Sequence, residues 1–135
     1  MQEQPVKKIV MAVDDMPLNL AVIRNVLSGK YDVRPVKSAK VALEMLNTIK
    51  PDLVLLDIEM PEMSGIDFLV RMKSNPEHSA YKDIPVVFVT AHTTEDMITR
   101  IMSGGARDYI VKPFEPGTLL KKVGSLLDGK ENSGG

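Results

Sequence analysis

The chain of 135 residues has no cysteine, no tryptophan and only two histidines. Without cysteine it can form no disulfide, no thiolate metal site and no thiol nucleophile. His78 and His92 are far apart in sequence, which favours exposed loop side chains over a metal-binding pair or a catalytic triad. These absences leave carboxylates, hydroxyls and amines as the groups that could carry chemistry.

Long apolar runs and an excess of charge of one sign are also missing. No apolar segment approaches the roughly 20 residues that a membrane-spanning helix needs, and the first residues do not resemble a secretory signal. The net charge of −1 gives no general attraction to nucleic acid or to an anionic membrane. We therefore expect a cytoplasmic protein that binds neither nucleic acid nor membrane.

The composition that remains, 44% hydrophobic and 26% charged, is that of an ordinary globular chain of one domain. Short β-type runs alternate with longer runs whose apolar residues recur with helical spacing. Strands are predicted at Lys8–Val13, Tyr31–Val36, Leu53–Asp57, Val86–Thr90 and Asp108–Val111. Helices are predicted at Leu18–Ser28, Ala39–Ile49, Gly65–Ser74, Glu95–Ser103 and Pro116–Leu127.

The apolar pattern of the strands predicts their order in the sheet. The first, third and fourth strands are continuously apolar, which indicates burial on both faces and hence a parallel sheet covered by helices on each side. The second strand alternates and contains Pro35, so it is expected at an edge. The sequence therefore predicts a doubly wound, flavodoxin-like (βα)5 sandwich with strand order 2-1-3-4-5.

Polar residues follow four of these strands at the point where each strand ends. Asp14-Asp15 follow the first strand, Asp57 ends the third, Thr90 ends the fourth and Lys112 follows the fifth. In the predicted order the first and third strands are neighbours at the switch point, where α/β sheets bind ligands. We therefore expect the three carboxylates to converge, with the hydroxyl and the amine beside them.

Three carboxylates in one pocket repel each other, by roughly 4 kcal/mol for a pair at about 4 Å and an effective dielectric of 20. Either their pKa values rise or a cation lies among them. Oxygen ligands without histidine or cysteine favour Mg²⁺, which readily takes a phosphate as a further ligand. Asp57 is then the expected nucleophile, forming an aspartyl phosphate, while Lys112 neutralises the phosphoryl group and Thr90 donates a hydrogen bond to it.

Taken singly, each of these residues also has an ordinary structural interpretation. Asp14-Asp15 could cap the helix that begins near Pro17, and Asp57 could cap a turn. Lys112 could be a solvated lysine and Thr90 an ordinary residue at a strand end. The combination of all of them favours a site.

The same residues carry a resemblance to a known family. From about Lys7 to Leu127 the chain resembles the receiver domain of two-component response regulators, in particular the chemotaxis regulators. The matching residues are Asp14-Asp15, Asp57, Met60-Pro61, Gly65, Thr90-Ala91 and the segment Asp108-Tyr109-Ile110-Val111-Lys112-Pro113-Phe114. Each motif is weak alone, but their occurrence together and in order is specific.

The resemblance implies a role for each matching residue. Asp57 would accept a phosphoryl group from a histidine kinase or a histidine phosphotransfer protein. Asp15 would bind Mg²⁺ directly, Asp14 partly through water, and Glu59 would contribute its backbone carbonyl to the metal. Lys112 would pair with the carboxylate and then with the phosphoryl group.

The resemblance also implies a switch. The hydroxyl of Thr90 would move to the phosphate and the ring of Tyr109 would turn inward, although Tyr109 could equally be a packing residue. The face formed by the fourth helix, fifth strand and fifth helix would then meet a downstream target or an output domain outside these residues. The bond between Lys112 and Pro113 is expected to be cis.

Glu59 and His92 depart from the family pattern in an informative way. They stand two residues after Asp57 and Thr90, at positions that the family varies and that border the path of attacking water. We therefore expect them to influence the lifetime of the phosphorylated state.

Two other functions share part of this pattern. A haloacid-dehalogenase-like phosphatase also uses an aspartate nucleophile and Mg²⁺, but its nucleophile usually follows the first strand. A pseudo-receiver would dock partners without phosphorylation, which the intact set of acids disfavours. We therefore predict a signalling domain rather than an enzyme, with residues 7–128 as the receiver domain and residues 1–6 and 129–135 as flexible termini.

Overall fold

The computed structural model describes residues 6–74 and 81–128, and their centre is a five-stranded parallel sheet of order β2-β1-β3-β4-β5. The strands are β1 (Ile9–Val13), β2 (Asp32–Val36), β3 (Leu53–Leu56), β4 (Val86–Thr90) and β5 (Asp108–Val111). The helices are α1 (Pro17–Leu27), α2 (Ala39–Met45), α3 (Gly65–Ser74), α4 (Glu95–Ser103) and α5 (Pro116–Leu127). The predicted fold and strand order are confirmed.

Helices cover both faces of the sheet, as continuously apolar strands require. Alternate residues of each strand point to opposite faces, so the strands divide their side chains between two apolar clusters. One cluster packs α2, α3 and α4 around residues such as Phe68 and Phe88. The other packs α1 and α5 around residues such as Ile23 and Leu119.

Local sequence signals explain where several helices begin. The hydroxyls of Ser38 and Thr94 accept hydrogen bonds from backbone amides in the first turns of α2 and α4. Pro17 and Pro116 open α1 and α5 in the position where proline is tolerated. The expectation that Pro17 lies in a first helical turn is confirmed.

The predicted element bounds agree with the structure to within a residue, except at α2. This helix ends at Met45, four residues before the predicted Ile49, and turns follow it. The apolar spacing continued past the helix because the side chain of Leu46 is still buried and that of Ile49 half-buried. The helical spacing of buried residues therefore extends beyond the last residue of the helix.

Gly29 and Gly104-Gly105 follow the ends of α1 and α4, where a left-handed glycine is expected from the sequence, and of the three only Gly105 has this conformation. Gly105 has a φ of 110°, whereas Gly104 is a right-handed cap with a φ of −78°. The left-handed conformation is absent at Gly29 and Gly104, because the chain leaves α1 through a right-handed Ser28 and only the second glycine after α4 is left-handed.

The segment before β4, which its polar residues and prolines predict to be a surface loop, is described only in part, since residues 75–80 lie outside the described residues. His78, predicted as an exposed loop side chain, lies outside them as well. Of the termini predicted to be flexible, 1–6 and 129–135, all but residue 6 also lie outside the described residues. None of the helices in residues 6–74 and 81–128 combines the length and the apolar character needed to cross a membrane.

Candidate functional site

The polar residues that follow β1, β3 and β5 meet at the carboxyl edge of the sheet, around an open pocket of about 480 Å³. The sheet ladder continues for one residue beyond the strands and fixes their backbones. The amide of Asp14 donates to Val36 O at 3.0 Å, that of Asp57 to Val13 O at 3.0 Å and that of Lys112 to Thr90 O at 2.9 Å. The pocket is lined by Asp15, Met16, Asp57, Glu59, Met60, Pro61, Ala91, His92 and Lys112.

Asp14 is the buried acid of the site, with 2% of its surface exposed. Its Oδ1 accepts the amide of Met16 at 2.9 Å, and its Oδ2 accepts Asn19 Nδ2 at 3.1 Å and Lys112 Nζ at 2.9 Å. A buried carboxylate with three donors is stable without a further ligand. Asp14 is not an N-cap, because Met16 occupies that position in α1.

Asp14, Asp15 and Asp57 together form a candidate metal site. Each offers a carboxylate oxygen, and these oxygens lie within 4.8 Å of one another. Asp15 and Asp57 face the pocket, whereas the oxygens of Asp14 already accept protein donors. Three oxygens of hard carboxylates, without sulfur or imidazole among them, fit Mg²⁺ or a similar cation.

Lys112 supplies the positive charge of the site. Its Nζ lies 2.9 Å from Asp14 Oδ2 and 3.4 Å from Asp57 Oδ2, and its side chain is 18% exposed. The amine therefore bridges the acid at the end of β1 and the acid at the end of β3. Asp57 therefore shares the single positive charge of Lys112 with Asp14.

The pKa of Asp57 is raised above its ordinary value of 3.8. Burial is the main cause, because it removes water from the charged form, and the negative charge of Asp14 adds to it. The charge of Lys112 and the amide of Ile58, which donates to Asp57 Oδ1 at 2.8 Å, oppose the rise without cancelling it. The ionised site is thus short of positive charge, so a bound cation would stabilise it.

The loop after β3 depends on a glycine. The amide of Gly65 donates to Ile58 O at 2.8 Å, which folds the loop back onto Asp57. A β-carbon at position 65 would lie 2.1 Å from the carbonyl oxygen of Asp57 and 3.0 Å from the ring of Phe88. At the turn of the same loop Glu62 has a φ of 72°, a conformation that is uncommon outside glycine.

Thr90 and Tyr109, the predicted switch pair, are not among the residues that line the pocket. Thr90 is fully buried, and its Oγ1 accepts the amide of His92 at 2.9 Å. Tyr109 pairs with Phe88 in the parallel ladder, two residues from Thr90 along β4, and its ring is half-buried against the cluster of α2, α3 and α4. The two side chains therefore share one face of the sheet.

Two features of the site were not predicted. Asn19, on the first turn of α1, donates to Asp14; its place five residues after Asp14 is the signal that could have been used. His92 Nε2 lies 2.8 Å from Glu59 Oε2 across the mouth of the pocket. The sequence points to Glu59 and His92 individually, but it does not predict a contact between them.

The remaining predictions have mixed outcomes. The Lys112–Pro113 bond is cis, as expected from the resemblance. Met60 lines the pocket. The backbone carbonyl of Glu59, the fourth proposed metal ligand, stays a prediction.

Comparison with known proteins identifies relatives over most of the chain. The sequence matches the response regulator receiver domain family over residues 10–124. It is 39% identical over 120 residues to the two-component response regulator ORR3 of Oryza sativa subsp. japonica, which covers 87% of this chain and 89% of that protein. It is also 38% identical over 123 residues to a probable cyclic di-GMP phosphodiesterase of Vibrio cholerae, covering 91% of this chain.

The chain spans only part of some of these relatives. It covers 27% of the Vibrio cholerae phosphodiesterase and 56% of the rice regulator ORR7. The activity in the name of the phosphodiesterase is therefore not carried over to this chain.

Solved structures agree with the fold. The chemotaxis protein CheY4 of Vibrio cholerae superposes with a TM-score of 0.83 at 28% identity, covering 90% of this chain and all of that one. A putative response regulator of Chloroflexus aurantiacus gives the same TM-score and identity over 90% of this chain and 98% of that one.

Proposed function

The chain belongs to the response regulator receiver domain family, and from this premise we propose that it is a phosphoacceptor that is phosphorylated on Asp57. Receiver domains of this family serve signalling and are not enzymes of the usual kind. We propose residues 7–128 as the extent of the domain.

The single observation that carries the proposal is the placement of Asp57. Its carboxylate faces an open pocket, 3.4 Å from the amine of Lys112 and beside two further acids. Its pKa is raised by burial and by Asp14, so positive charge entering the pocket would stabilise its ionised form, which is the nucleophile. Such a group is both accessible to a donor and poised to react.

The reaction proposed for Asp57 is a transfer of one phosphoryl group. A carboxylate oxygen of Asp57 attacks the phosphorus of a phosphohistidine, the P–N bond breaks, and the imidazole leaves with the bonding electrons and takes up a proton. An aspartyl phosphate results. Lys112 stays close to the transferred oxygens and offsets their charge. Attack of water on the same phosphorus returns the free carboxylate and inorganic phosphate.

Asp15 and Asp57, with Asp14 behind them, would hold a Mg²⁺ ion. When bound, the ion would supply charge neutralisation for the phosphoryl oxygens. Asp14 already accepts three protein donors, which supports a direct role for Asp15 and a partly water-mediated one for Asp14.

The proposed output follows from the shared face of Thr90 and Tyr109. A phosphoryl group on Asp57 offers oxygens to the Thr90 hydroxyl, whose movement would leave space for the Tyr109 ring to turn inward. The face formed by α4, β5 and α5 would then present a different surface to a target or an output domain. A histidine kinase or histidine phosphotransfer protein is the proposed donor, and a cytoplasmic location stays a prediction.

Neither alternative function has an observation in its favour. A haloacid-dehalogenase-like phosphatase would place its nucleophile after β1, whereas here Asp14, the first acid after β1, is buried and already accepts three protein donors. A docking module without phosphorylation would have no need of the open pocket at Asp57.

The test is phosphorylation by acetyl phosphate in the presence of Mg²⁺, followed by intact-mass spectrometry. We expect one added phosphoryl group on the wild type, none after Asp57→Asn and none in excess EDTA. Asp67→Asn, a change at an exposed acid on α3, is the matched control and should label normally. Equal labelling of Asp57→Asn and wild type would overturn the proposal, and multiple-turnover hydrolysis of a phosphate ester would favour the phosphatase.

A further inference from the structure

One side chain of α5 reaches the open edge of the sheet and contacts Tyr109 in two ways. Lys122 Nζ donates to the backbone carbonyl of Tyr109 at 3.3 Å and lies 5.8 Å from the centre of its ring. The same amine lies 3.0 and 3.2 Å from the two carboxylate oxygens of Asp108. Lys122 therefore gathers the first two residues of β5 around one positive charge.

Side chains, rather than a neighbouring strand, satisfy the backbone of Tyr109 on this side. Its amide donates to Asp108 Oδ1 at 2.7 Å and its carbonyl accepts from Lys122. β5 is the last strand of the sheet, so its outer polar groups have no strand to pair with. Lys122 and Asp108 together cover this part of the edge.

The ring contact crosses from one layer of the fold to the other. α5 packs on the face of the sheet opposite to the cluster that holds the Tyr109 ring. Lys122 must therefore extend around the edge of β5 to reach the ring. A lysine that served only as a partner for Asp108 would not need to lie over the aromatic face.

We propose that Lys122 is a positioning residue that holds the ring of Tyr109 in its half-exposed orientation and so favours the unphosphorylated state. This proposal depends on the role of Tyr109 as a switch in the proposed function. A ring that turns inward leaves the ammonium group, and the attraction between the two is lost. Any ligand that favours the inward ring must overcome that loss.

The size of the effect follows from the exposure of the pair. The side chain of Lys122 is 35% exposed, so its interaction with the ring corresponds to that of a partly solvated cation and aromatic. Such a contact changes an equilibrium by about two- to fivefold. Removing the ammonium group should therefore make the phosphorylated-like state two to five times easier to reach.

The test measures the affinity of the full chain for beryllofluoride with Mg²⁺, a stable mimic of the phosphoryl group, in four proteins. Lys122→Met keeps the aliphatic stem and should bind about two to five times more tightly than wild type. Lys122→Arg keeps a cation that stacks on aromatic rings and should bind like wild type. Lys121→Met removes the charge of the exposed neighbouring lysine on α5 and should also bind like wild type.

The NMR signals of the Tyr109 ring, without any ligand, supply the second measurement. They should shift in Lys122→Met and stay in place in Lys122→Arg and Lys121→Met. A merely structural contact with Asp108 gives no reason for Lys122→Met also to bind beryllofluoride more tightly, so the two measurements together separate the roles. Unchanged ring signals in Lys122→Met, or an equal affinity gain in Lys121→Met, would overturn the role of Lys122. If wild type binds no beryllofluoride, the phosphoacceptor function fails instead, and the ring signals alone decide whether Lys122 positions Tyr109.

Discussion

Replacing Gly65 by alanine tests whether the loop after β3 sets the position of Asp57. The new β-carbon would lie 2.1 Å from the carbonyl oxygen of Asp57, whereas side chains essentially never approach other atoms within 3.0 Å. The obstructing atom belongs to the backbone, so no rotamer change relieves the contact. The loop would have to open by about 1 Å, which is large compared with the tolerance of close-packed interiors.

We expect Gly65→Ala to lower the free energy of unfolding by about 3 kcal/mol, the upper part of the range for overpacking. At a urea m-value of about 2 kcal/mol/M, this loss moves the unfolding midpoint down by roughly 1.5 M. Phosphorylation of the folded variant should also slow, because the peptide that carries Asp57 is the one displaced.

Gly117→Ala and Gly29→Ala are matched controls, because a β-carbon at either position meets no atom within 4 Å. Gly117 lies in α5, where alanine is favoured over glycine by roughly 0.5–1 kcal/mol. Gly29 has no left-handed backbone, so alanine there reduces the entropy of the unfolded chain and stabilises by about 0.4–1 kcal/mol. The same chemical change should therefore have opposite signs at different sites.

Urea unfolding followed by circular dichroism, with equal m-values required among the variants, measures these differences. A Gly65→Ala midpoint within about 0.3 M of wild type, or a loss of stability in Gly117→Ala as large as in Gly65→Ala, would refute the steric reasoning.

Three further predictions concern the site itself. Since burial raises the pKa of Asp57, its ionised form destabilises the folded state, and this destabilisation disappears as the pH falls below 3.8, where the carboxyl is protonated in both the folded and the unfolded state. In EDTA, Asp57→Asn should therefore have a higher melting temperature than wild type at pH 7, and the difference should shrink on acidification. A difference that grows on acidification would contradict the raised pKa of Asp57. Glu59→Gln and His92→Asn should each shorten the lifetime of the phosphorylated protein by up to about fivefold, because the 2.8 Å contact between the two side chains lies across the mouth of the pocket, where water must enter, and an exposed contact of this kind is of modest strength. Unchanged hydrolysis rates in both variants would remove this role. Asp15→Asn should weaken Mg²⁺ binding, measured by calorimetry, by at least about tenfold, the loss that even outer-shell changes cause, and equal affinity would exclude Asp15 as a ligand.

The order of the strands in the sheet could be predicted because the burial of a strand determines which of its residues are apolar. A strand buried on both faces must be apolar throughout, and Pro35 is tolerated only where a backbone amide is not needed. The convergence of Asp14, Asp57 and Lys112 then follows from strand order alone, since the carboxyl ends of parallel strands share one edge. Neither inference requires knowledge of side-chain conformation.

The contacts that escaped prediction depend on helix phase and on rotamers. Asn19 reaches Asp14 only because α1 begins at Pro17 and turns that side chain toward β1. The pairing of Glu59 with His92 joins two loops whose relative position the strand pattern does not fix. In the sequence Lys122 cannot be told from an ordinary surface lysine. It reaches Tyr109 because β5 is an edge strand of the sheet.

The way in which the backbone is held separates the reactive part of the molecule from the responsive part. Asp14, Asp57 and Lys112 are each fixed by an amide bonded to the neighbouring strand, so the acids and the amine keep their spacing when charge enters the pocket. On its outer side the backbone of Tyr109 is held, within the described residues, by the side chains of Asp108 and Lys122, each a little more than one third exposed. Exposed ion pairs rearrange at little free-energy cost. A charge change at Asp57 is therefore expected to leave the site's framework in place and to move the outer edge of β5, which is where a partner can detect it.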